Sequence, residues 1–319
     1  MRNKILAATT QFNHKAFDKE YNLKIMEGMC RDASSKGIQI ITFPEMCITG
    51  YWYIRDLGKN KVKEMAEPLA DSPSIEKLQN LAEDLNLIIG AGLIELADDG
   101  KLYNTYVVVQ PDRPLGFHRK LHCFISPHMS SGSSFTVVET SLGIKLGILI
   151  CWDNNLIENG RMTALAGADI LLAPHQTGGC KHSSGHVLGT IDVDLWENRA
   201  ANPQALRNEF SGIKGKKWLE RWLPARAHDN GYFLMFSNGV GRDDDEIRTG
   251  NAMLIDCFGE ILVQSSSIEN DMVIAEFDMT LLEKSLGRNW IKGRRPELYK
   301  ALAIPSGNEK DPRYLKFRE

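Results

Sequence analysis

Blocks of apolar and polar residues alternate along the chain and predict strands and helices in turn. Residues 4–12 have the pattern of a strand, and residues 21–36 carry apolar side chains at helical spacing before Gly37. Residues 38–43 form a nearly continuous apolar run, which is typical of a strand covered on both faces. Repeated alternation of this kind predicts an α/β fold.

The alternation continues through the rest of the sequence. A helix is predicted from Ser72 to about Asn86, with a proline in its first turn. Further strands are predicted at 87–95, 102–110, 135–139, 144–151, 169–174, 232–237, 251–256, 261–263 and 273–278, and further helices at 157–166 and 218–230. Because no linker divides these elements, residues 1–319 are predicted to form a single domain.

Two segments depart from this pattern. Residues 178–217 lack clear periodicity and are rich in Gly, Ser, Asn and charge, so they are predicted to be a long loop insertion. A loop of that length is uncommon in a compact domain unless it has a purpose, and we expect it to border the functional site. Residues from about 294 to 319 are predicted to be a C-terminal tail.

The composition and charge of the chain indicate which kinds of binding partner to expect. The chain has 319 residues, of which 43% are hydrophobic, and this is enough for a sizeable core. The formal net charge is -3 with acids and bases interspersed, so no broad basic field exists to attract nucleic acid or anionic lipid. A small-molecule substrate is therefore expected, with no nucleic-acid partner and no membrane partner.

The cysteines and the N-terminal residues suggest a compartment. The six cysteines are scattered and do not resemble a disulfide framework, which favours a reducing environment. The apolar stretch near Met1 is too short for a secretory signal, and no segment has the apolar length of a membrane span. We expect a cytoplasmic protein.

Three chemically active side chains follow predicted strands. Cys151 ends the apolar run 147–150, Glu45 follows residues 38–43, and Lys120 follows the strand-like segment 103–110. Hydrolysis of an amide requires a nucleophile, a base that later acts as an acid, and positive charge near the developing oxyanion. An isolated cysteine is more often a buried structural residue. The combination of thiol, carboxylate and ammonium favours catalysis instead.

The same residues lie in blocks that resemble the three signature motifs of the nitrilase superfamily of carbon–nitrogen hydrolases. These blocks are Phe43-Pro44-Glu45 with Thr49-Gly50-Tyr51, then His118-Arg119-Lys120-Leu121-His122, then Leu149-Ile150-Cys151-Trp152-Asp153. Residues 168–174, 226–230, 250–256 and 294–299 also resemble later blocks of that family. The blocks occur in the family's order and cover most of the chain.

The resemblance implies a fold and a mechanism. The implied fold is a four-layer α-β-β-α sandwich that pairs across a helical layer into homodimers or larger homo-oligomers. Cys151 would be the nucleophile, Glu45 would transfer the proton, and Lys120 with the backbone N–H of Trp152 would hold the oxyanion. A thioester intermediate follows, and no metal or organic cofactor is expected, because the side chains supply every proton and charge.

One departure from the family pattern concerns a second glutamate. Members commonly carry it between the lysine and the cysteine, whereas here the loop 121–132 is short and contains no glutamate. Glu139 lies in a strand-like run and is not assigned this role. We expect His128 to occupy the neighbourhood of the missing carboxylate and to face the substrate.

Other residues are candidates for lining the pocket. Tyr51 and Trp152 follow two of the catalytic strand ends and could either wall the pocket or fill the core. His175 begins the approach to the insertion and is a further candidate for substrate binding. Asp153 and Arg226 are expected to form a buried ion pair that positions the cysteine turn.

The approach to the insertion also holds possible metal ligands. His175, Cys180, His182 and His186 could in principle bind zinc, but their spacing matches no strong zinc template. A loop that lines the substrate pocket is the preferred interpretation, with no metal site.

Several activities remain open at this stage. The leading hypothesis is hydrolysis of a small amide or N-carbamoyl compound with release of ammonia or amine. A nitrilase that converts a nitrile to an acid and ammonia is the nearest alternative, and acyl transfer to an amine would use the same thioester. A catalytically silent or ligand-sensing protein is the alternative from another class, because the second glutamate is absent.

Overall fold

The computed structural model describes residues 3–182 and 185–317. Its strands are β1 Lys4–Phe12, β2 Ile40–Thr42, β3 Ile88–Leu96, β4 Leu102–Val109, β5 Gly116–Arg119, β6 Met129–Ser130, β7 Thr136–Glu139, β8 Lys145–Ile148, β9 Ile170–His175, β10 Phe233–Asp243, β11 Glu246–Thr249, β12 Met253–Ile255, β13 Ile261–Gln264 and β14 Asp271–Asp278. Its α-helices are α1 Lys19–Ser35, α2 Lys59–Met65, α3 Pro73–Leu85, α4 Ile157–Leu165, α5 Val193–Glu197, α6 Pro203–Ser211, α7 Lys216–Leu219, α8 Leu223–Asn230, α9 Leu286–Lys292 and α10 Pro312–Phe317.

The strands form two sheets that join at one corner. In the first, β1, β2 and β3 are parallel neighbours, with β4 and β14 antiparallel at either side and β5 antiparallel to β4. In the second, β8, β9 and β10 are parallel, with β7 and β12 antiparallel to them. The sheets meet where the end of β1 pairs with β10, at Gln11 with Asn238 and Phe12 with Gly239.

Alternating side chains of β1 define the layers. Ile5 and Ala7 point into a core shared with Ile148 and Leu172 of the second sheet. Ala8 points to the opposite face and belongs to a separate core that includes side chains of α1 and α3. A period of two therefore buries one face against the other sheet and one face against helices.

Helix α8 covers the outer face of the second sheet. Its residues Leu223 and Ala227 pack with Leu171 of β9 and Phe236 of β10. The order of layers is helix, sheet, sheet, helix, and the predicted α-β-β-α sandwich is confirmed. Within the described residues, no helix has both the length and the apolar character needed to cross a bilayer.

The segment 178–217 differs from the predicted loop. It contains α5, α6 and the beginning of α7, and buried side chains of α5 and α6 such as Trp196 and Phe210 pack with Ile247 of β11. The side chains of Asp192 and Asn202 accept hydrogen bonds from the first turns of α5 and α6. These helices have five and nine residues, which is too short for a helical period to stand out.

Candidate active site

Glu45 lies in a tight turn just after β2 and is fully buried. The turn runs close against β3: a Cβ on Gly92 would lie 2.2 Å from the backbone nitrogen of Met46. Met46 itself has a φ of 45°, in the left-handed region that non-glycine residues seldom adopt. A glycine in β3 therefore permits the turn that carries the carboxylate into the protein interior.

Lys120 reaches the same carboxylate from another strand. Its backbone N–H donates to the carbonyl of Asn104 at 2.8 Å, which continues the pairing of β5 with β4. Its Nζ donates to Oε1 of Glu45 at 2.6 Å, and the Nδ2 of Asn104 donates to the same oxygen at 2.6 Å. The second carboxylate oxygen of Glu45, Oε2, is buried and has no hydrogen-bond partner among the described residues.

Cys151 begins a short 3₁₀ turn, Cys151–Asn155, that follows β8. Its φ of 50° lies in the left-handed region, where a side chain costs roughly 1–3 kcal/mol unless the surroundings hold it. The strand predicted to run to this residue ends at Ile148, so the thiol lies on the turn rather than on the strand. A strained conformation at a cysteine that lines a cavity indicates a functional constraint.

The hydrogen bonds that hold this turn differ from the predicted ion pair. Arg226 donates from Nε to the carbonyl of Asn154 at 2.9 Å and from Nη2 to the carbonyl of Asn155 at 3.1 Å. Asp153 instead accepts from the backbone N–H groups of Leu121 and His122 at 3.1 and 2.8 Å. The predicted Asp153–Arg226 pair is therefore wrong: Asp153 fastens the loop after Lys120 to the cysteine turn.

Contacts with histidines complete this link. The Nδ1 of His122 lies 2.8 Å from Oδ1 of Asp153, and the Nε2 of His118 lies 3.7 Å from Oδ2. Burial by itself raises the pKa of Asp153, but its contacts with His118 and His122 hold the pKa well below its ordinary value. The carboxylate stays ionised and keeps the turn and the loop together.

Burial and the neighbouring charges determine whether the Cys151 thiol is protonated. Burial raises the pKa of the Cys151 thiol to about 12, with the carboxylate of Glu45 adding to the rise and the ammonium of Lys120 opposing it. Burial disfavours the charge on Lys120, but Glu45 and Cys151 outweigh burial and raise its pKa above the ordinary value. At neutral pH the site therefore holds a protonated thiol beside an ammonium.

A cavity of about 590 Å³ opens above Cys151. Tyr51 and Trp152 line it, as does Phe124 from the loop after Lys120. The cavity is lined by Tyr51, Trp52, Phe124, Cys151, Trp152, Asn155, Leu156, Gln176, Thr177, Cys180, Lys181, His182, Val187, Leu188, Trp218, Arg248, Leu315 and Lys316. Of the two interpretations of Tyr51 and Trp152, the geometry favours walls of the pocket.

Two predicted binding residues lie elsewhere. His128 is half-buried beyond Ser126 and Pro127 and does not line the cavity, where Phe124 of the same loop is found instead. His175 is 1% exposed and lies behind the cysteine turn, with its Nε2 3.1 Å from the Nδ2 of Asn154. Burial lowers the pKa of His175 to about 3, so it is a neutral core residue that supports the turn.

The remaining sequence candidates have other surroundings. The side chain of Glu139, on the edge strand β7, is 72% exposed and lies near Lys145 of the neighbouring strand β8. Of the possible zinc ligands, Cys180 accepts a hydrogen bond from Arg248 at 2.8 Å, and His175 contacts Asn154. Across residues 3–182 and 185–317, no group of three or more His, Cys, Asp or Glu side chains is arranged to hold a metal ion.

Comparisons with known proteins agree with this geometry. The family model described as carbon-nitrogen hydrolase matches residues 6–285. The chain belongs to the carbon–nitrogen hydrolase family. The resemblance to the nitrilase superfamily is thereby confirmed, and with it the prediction of a cysteine-dependent carbon–nitrogen hydrolase.

Three similar proteins illustrate the match. N-carbamoylputrescine amidase of Arabidopsis thaliana is 26% identical over 96% of this chain and 98% of its own length. A carbon-nitrogen hydrolase from Helicobacter pylori G27 has a TM-score of 0.76 and 22% identity, covering 95% of this chain and 99% of that one. An amidase mutant from Nesterenkonia sp. AN1, with the acetamide moiety of fluoroacetamide added at its active-site cysteine, has a TM-score of 0.68 and 17% identity, covering 94% and 98%.

Sequence reasoning missed several residues that line this hydrolase's cavity or contact Glu45. Asn104 is a polar residue inside the apolar strand β4, and that interruption was a usable signal. Arg248 lies in the short strand β11, which no periodicity revealed. Leu315 and Lys316 come from a C-terminal helix that returns to the cavity, and no local pattern indicates such a return.

Proposed function

We propose that this enzyme hydrolyses the C–N bond of a small amide or N-carbamoyl compound through a thioester on Cys151. The observation that carries the proposal is the state of Glu45. One of its oxygens is held by Lys120 and Asn104, and the other has no partner among the described residues, in a buried site shared with a protonated thiol. A free carboxylate oxygen beside a thiol is the arrangement that general-base activation requires.

Acylation begins when Glu45 takes the proton of the Cys151 thiol and the sulfur attacks the carbonyl carbon. The carbonyl π electrons move to oxygen, and Lys120 with the backbone N–H of Trp152 stabilises the resulting oxyanion. The oxyanion collapses, the C–N bond breaks, and Glu45 gives its proton to the departing nitrogen. Ammonia or an amine leaves, and the acyl group remains on sulfur as a thioester.

Deacylation repeats the sequence with water as the nucleophile. Glu45 takes one proton from water, the hydroxyl attacks the thioester carbon, and the C–S bond breaks. The sulfur recovers a proton from Glu45, and the acid product leaves. Glu45 returns each proton that it accepts, so the enzyme ends the cycle in its starting protonation state.

The test measures ammonia release from short amides, ureido acids and nitriles, with wild type beside Cys151→Ala. We expect turnover of amides or ureido acids, and a loss of roughly 10⁴-fold or more in the variant. Activity that survives in Cys151→Ala contradicts the mechanism. Turnover of nitriles in place of amides identifies a nitrilase, and an amine acceptor that diverts the thioester identifies acyl transfer.

A silent or ligand-sensing protein would give a different result. Without a catalytic role for the thiolate, Cys151 should react with iodoacetamide no faster than a buried thiol such as Cys47. Mass spectrometry of both sites after timed alkylation measures the difference. We expect Cys151 to react faster, because it lines a cavity and has a base beside it.

Assembly and compartment are also proposals. We propose a homodimer or larger homo-oligomer, supported by exposed apolar side chains on α4 and the C-terminal segment, including Ile157, Met162 and Leu302. Size-exclusion chromatography with light-scattering detection measures the mass in solution and tests this proposal. We also propose a cytoplasmic location, supported by six free cysteines, and fractionation of cells tests it.

A further inference from the structure

We propose that the substrate of this site carries a carboxylate and that Arg248 binds it, an inference that rests on the proposed hydrolase function. The substrate class is then a short ω-amido or ω-ureido carboxylic acid. A cationic amine amide would be a poor substrate. Three features support this: an arginine with an unused donor, the charges of the side chains that line the cavity, and the short distance between Arg248 and Lys120.

Arg248 is an arginine buried in the wall of the cavity. It is 1% exposed, and its Nε lies 3.2 Å from Oδ2 of Asp243 while its Nη1 lies 2.7 Å from Oε2 of Glu246 and 2.8 Å from Sγ of Cys180. Its Nη2 is buried and has no hydrogen-bond partner among the described residues. An unsatisfied guanidinium N–H in a cavity wall is costly unless a ligand accepts from it.

The acids next to Arg248 already have partners besides Arg248. Asp243 accepts from the backbone N–H of Trp52 at 3.1 Å and lies 3.2 Å from Nε2 of His14. Glu246 accepts from the backbone N–H of Lys181 at 3.0 Å. These contacts fix the guanidinium in place and leave Nη2 for a ligand.

The charged side chains that line the cavity directly include cations and no carboxylate of the described residues. Lys181, Arg248 and Lys316 line the cavity, and no aspartate or glutamate of the described residues lines it. An anion entering the cavity therefore meets cations, and a cationic substrate finds no lining carboxylate to pair with. The overall charge of -3 does not reveal this local field.

The position of Tyr51 limits the length of the substrate. Its ring centroid lies 5.7 Å from Nζ of Lys120 and 5.7 Å from Cζ of Arg248. The two cations are therefore separated by no more than twice that distance. A molecule with its reacting carbonyl at Lys120 and its carboxylate at Arg248 needs only a few bonds between them. The buried hydroxyl of Tyr51, which also lacks a partner among the described residues, is a second donor nearby.

The first experiment compares glutaramic acid, its methyl ester and 5-aminovaleramide as substrates. We expect kcat/KM to be highest for the acid and lowest for the amine. In Arg248→Gln the ratio of acid to ester should fall roughly 10- to 100-fold, mainly through KM, with partial recovery in Arg248→Lys. Arg242→Gln, an exposed arginine of β10 that does not line the cavity, is the matched control. An equal kcat/KM for acid and ester in wild type overturns the inference.

The second experiment needs no turnover. It measures alkylation of Cys151 by iodoacetate and by iodoacetamide, resolved by mass spectrometry, in wild type, Arg248→Gln and Arg242→Gln. We expect a preference for iodoacetate that weakens in Arg248→Gln and at high ionic strength. If Arg248→Gln fails to fold, the wild type still tests the anion site: its preference for iodoacetate should weaken as the salt concentration rises, and the absence of any preference contradicts the site.

The two experiments separate the two proposals. A preference for iodoacetate without hydrolysis of any amide overturns the proposed function and supports the anion site. Hydrolysis of amides without preference for glutaramic acid or iodoacetate supports the function and overturns the anion site.

Discussion

The floor and the outer wall of the cavity are built in different ways. We call floor the group of Cys151, which lines the cavity, with Glu45 and Lys120, which are fully buried and whose charges act on the thiol. The outer wall consists of residues 180–182, 187–188 and 315–316, with Leu315 at 52% exposure. Phe317, at 44% exposure, does not line the cavity but packs against the lining residues Trp52 and Phe124. The floor belongs to the interior of the sandwich, and the wall belongs to its surface.

The two regions also differ in how they are anchored. Side chains of the floor are fixed by short hydrogen bonds between segments far apart in the chain, such as those that reach Oε1 of Glu45. The C-terminal part of the wall is held by a few surface contacts. Lys316 donates to the carbonyl of Lys181 at 3.0 Å, Arg313 donates to the carbonyl of Met129 at 3.2 Å, and Phe317 stacks on Trp52 at 6.0 Å.

This difference separates chemistry from selectivity. A change in the floor alters a buried charge network, so it affects catalysis and folding together. A change in the wall alters which molecule can enter the cavity, but it does not disturb the core. The following predictions test that division, from the largest expected effect to the smallest.

Glu45→Gln should damage both catalysis and stability. It removes the base, so kcat should fall at least about 100-fold, and it leaves Lys120 as an unpaired buried charge, which costs about 3–5 kcal/mol. Initial rates and urea unfolding measure the two effects. Adding Lys120→Met should restore stability without activity, and Glu139→Gln is the exposed control. If the double variant is no more stable than the single one, the buried pair is not the cause.

Gly92→Ala should distort the floor without touching a charge. The new Cβ would lie 2.2 Å from the backbone nitrogen of Met46, so the turn that carries Glu45 must move. We expect a loss of about 3 kcal/mol in the free energy of unfolding, together with a lower kcat. Gly28→Ala, in α1 with open space around it, should instead be neutral or stabilising by up to about 1 kcal/mol. Equal effects of the two substitutions contradict the close approach.

His175 should make the floor sensitive to acid. Its pKa is about 3 in the folded protein against a reference value of 6.5, so the unfolded chain binds more protons between these pH values. The contribution of neutral His175 to the free energy of unfolding is fully present above about pH 6.5. As the pH falls from there towards 3, it decreases by about 1.4 kcal/mol per pH unit, so about 2 kcal/mol is lost at pH 5. Urea unfolding across this range measures the free energy of unfolding, which should vary less steeply with pH in His175→Phe than in wild type. His128→Phe, outside the core, should keep the wild-type slope.

Phe317→Ala should affect only the wall, because Phe317 supports the lining residues Trp52 and Phe124. We expect KM to rise a few-fold while kcat stays the same and the stability changes by less than about 0.5 kcal/mol. Steady-state kinetics and thermal unfolding provide the measurements. Leu262→Ala, at 43% exposure on β13 and away from the cavity, is the control and should leave KM unchanged. A fall in kcat with Phe317→Ala would show that the wall and the floor are not separate.

Prediction from sequence was strongest where local pattern and chemistry coincide. The strands before Glu45 and Cys151 were visible as apolar runs, and the blocks around Glu45, Lys120 and Cys151 carried the family resemblance. Prediction was weakest where a contact joins distant segments. Asp153 and Arg226 suggested an ion pair by charge alone, but the fold gave Asp153 backbone N–H partners and gave Arg226 backbone carbonyl partners.

The sequence by itself determined the alternating elements, the α/β class and the three side chains of the floor, and its resemblance to the nitrilase superfamily implied the layered sandwich. Those features depend on residue order, apolar periodicity, chemical type and short motifs, which can be read along the chain. Only the tertiary structure decided that His175 and His128 lie outside the cavity and that Arg248 and the C-terminal helix line it. Each of these outcomes depends on the packing of segments far apart in the chain, and no local pattern specifies how such segments meet.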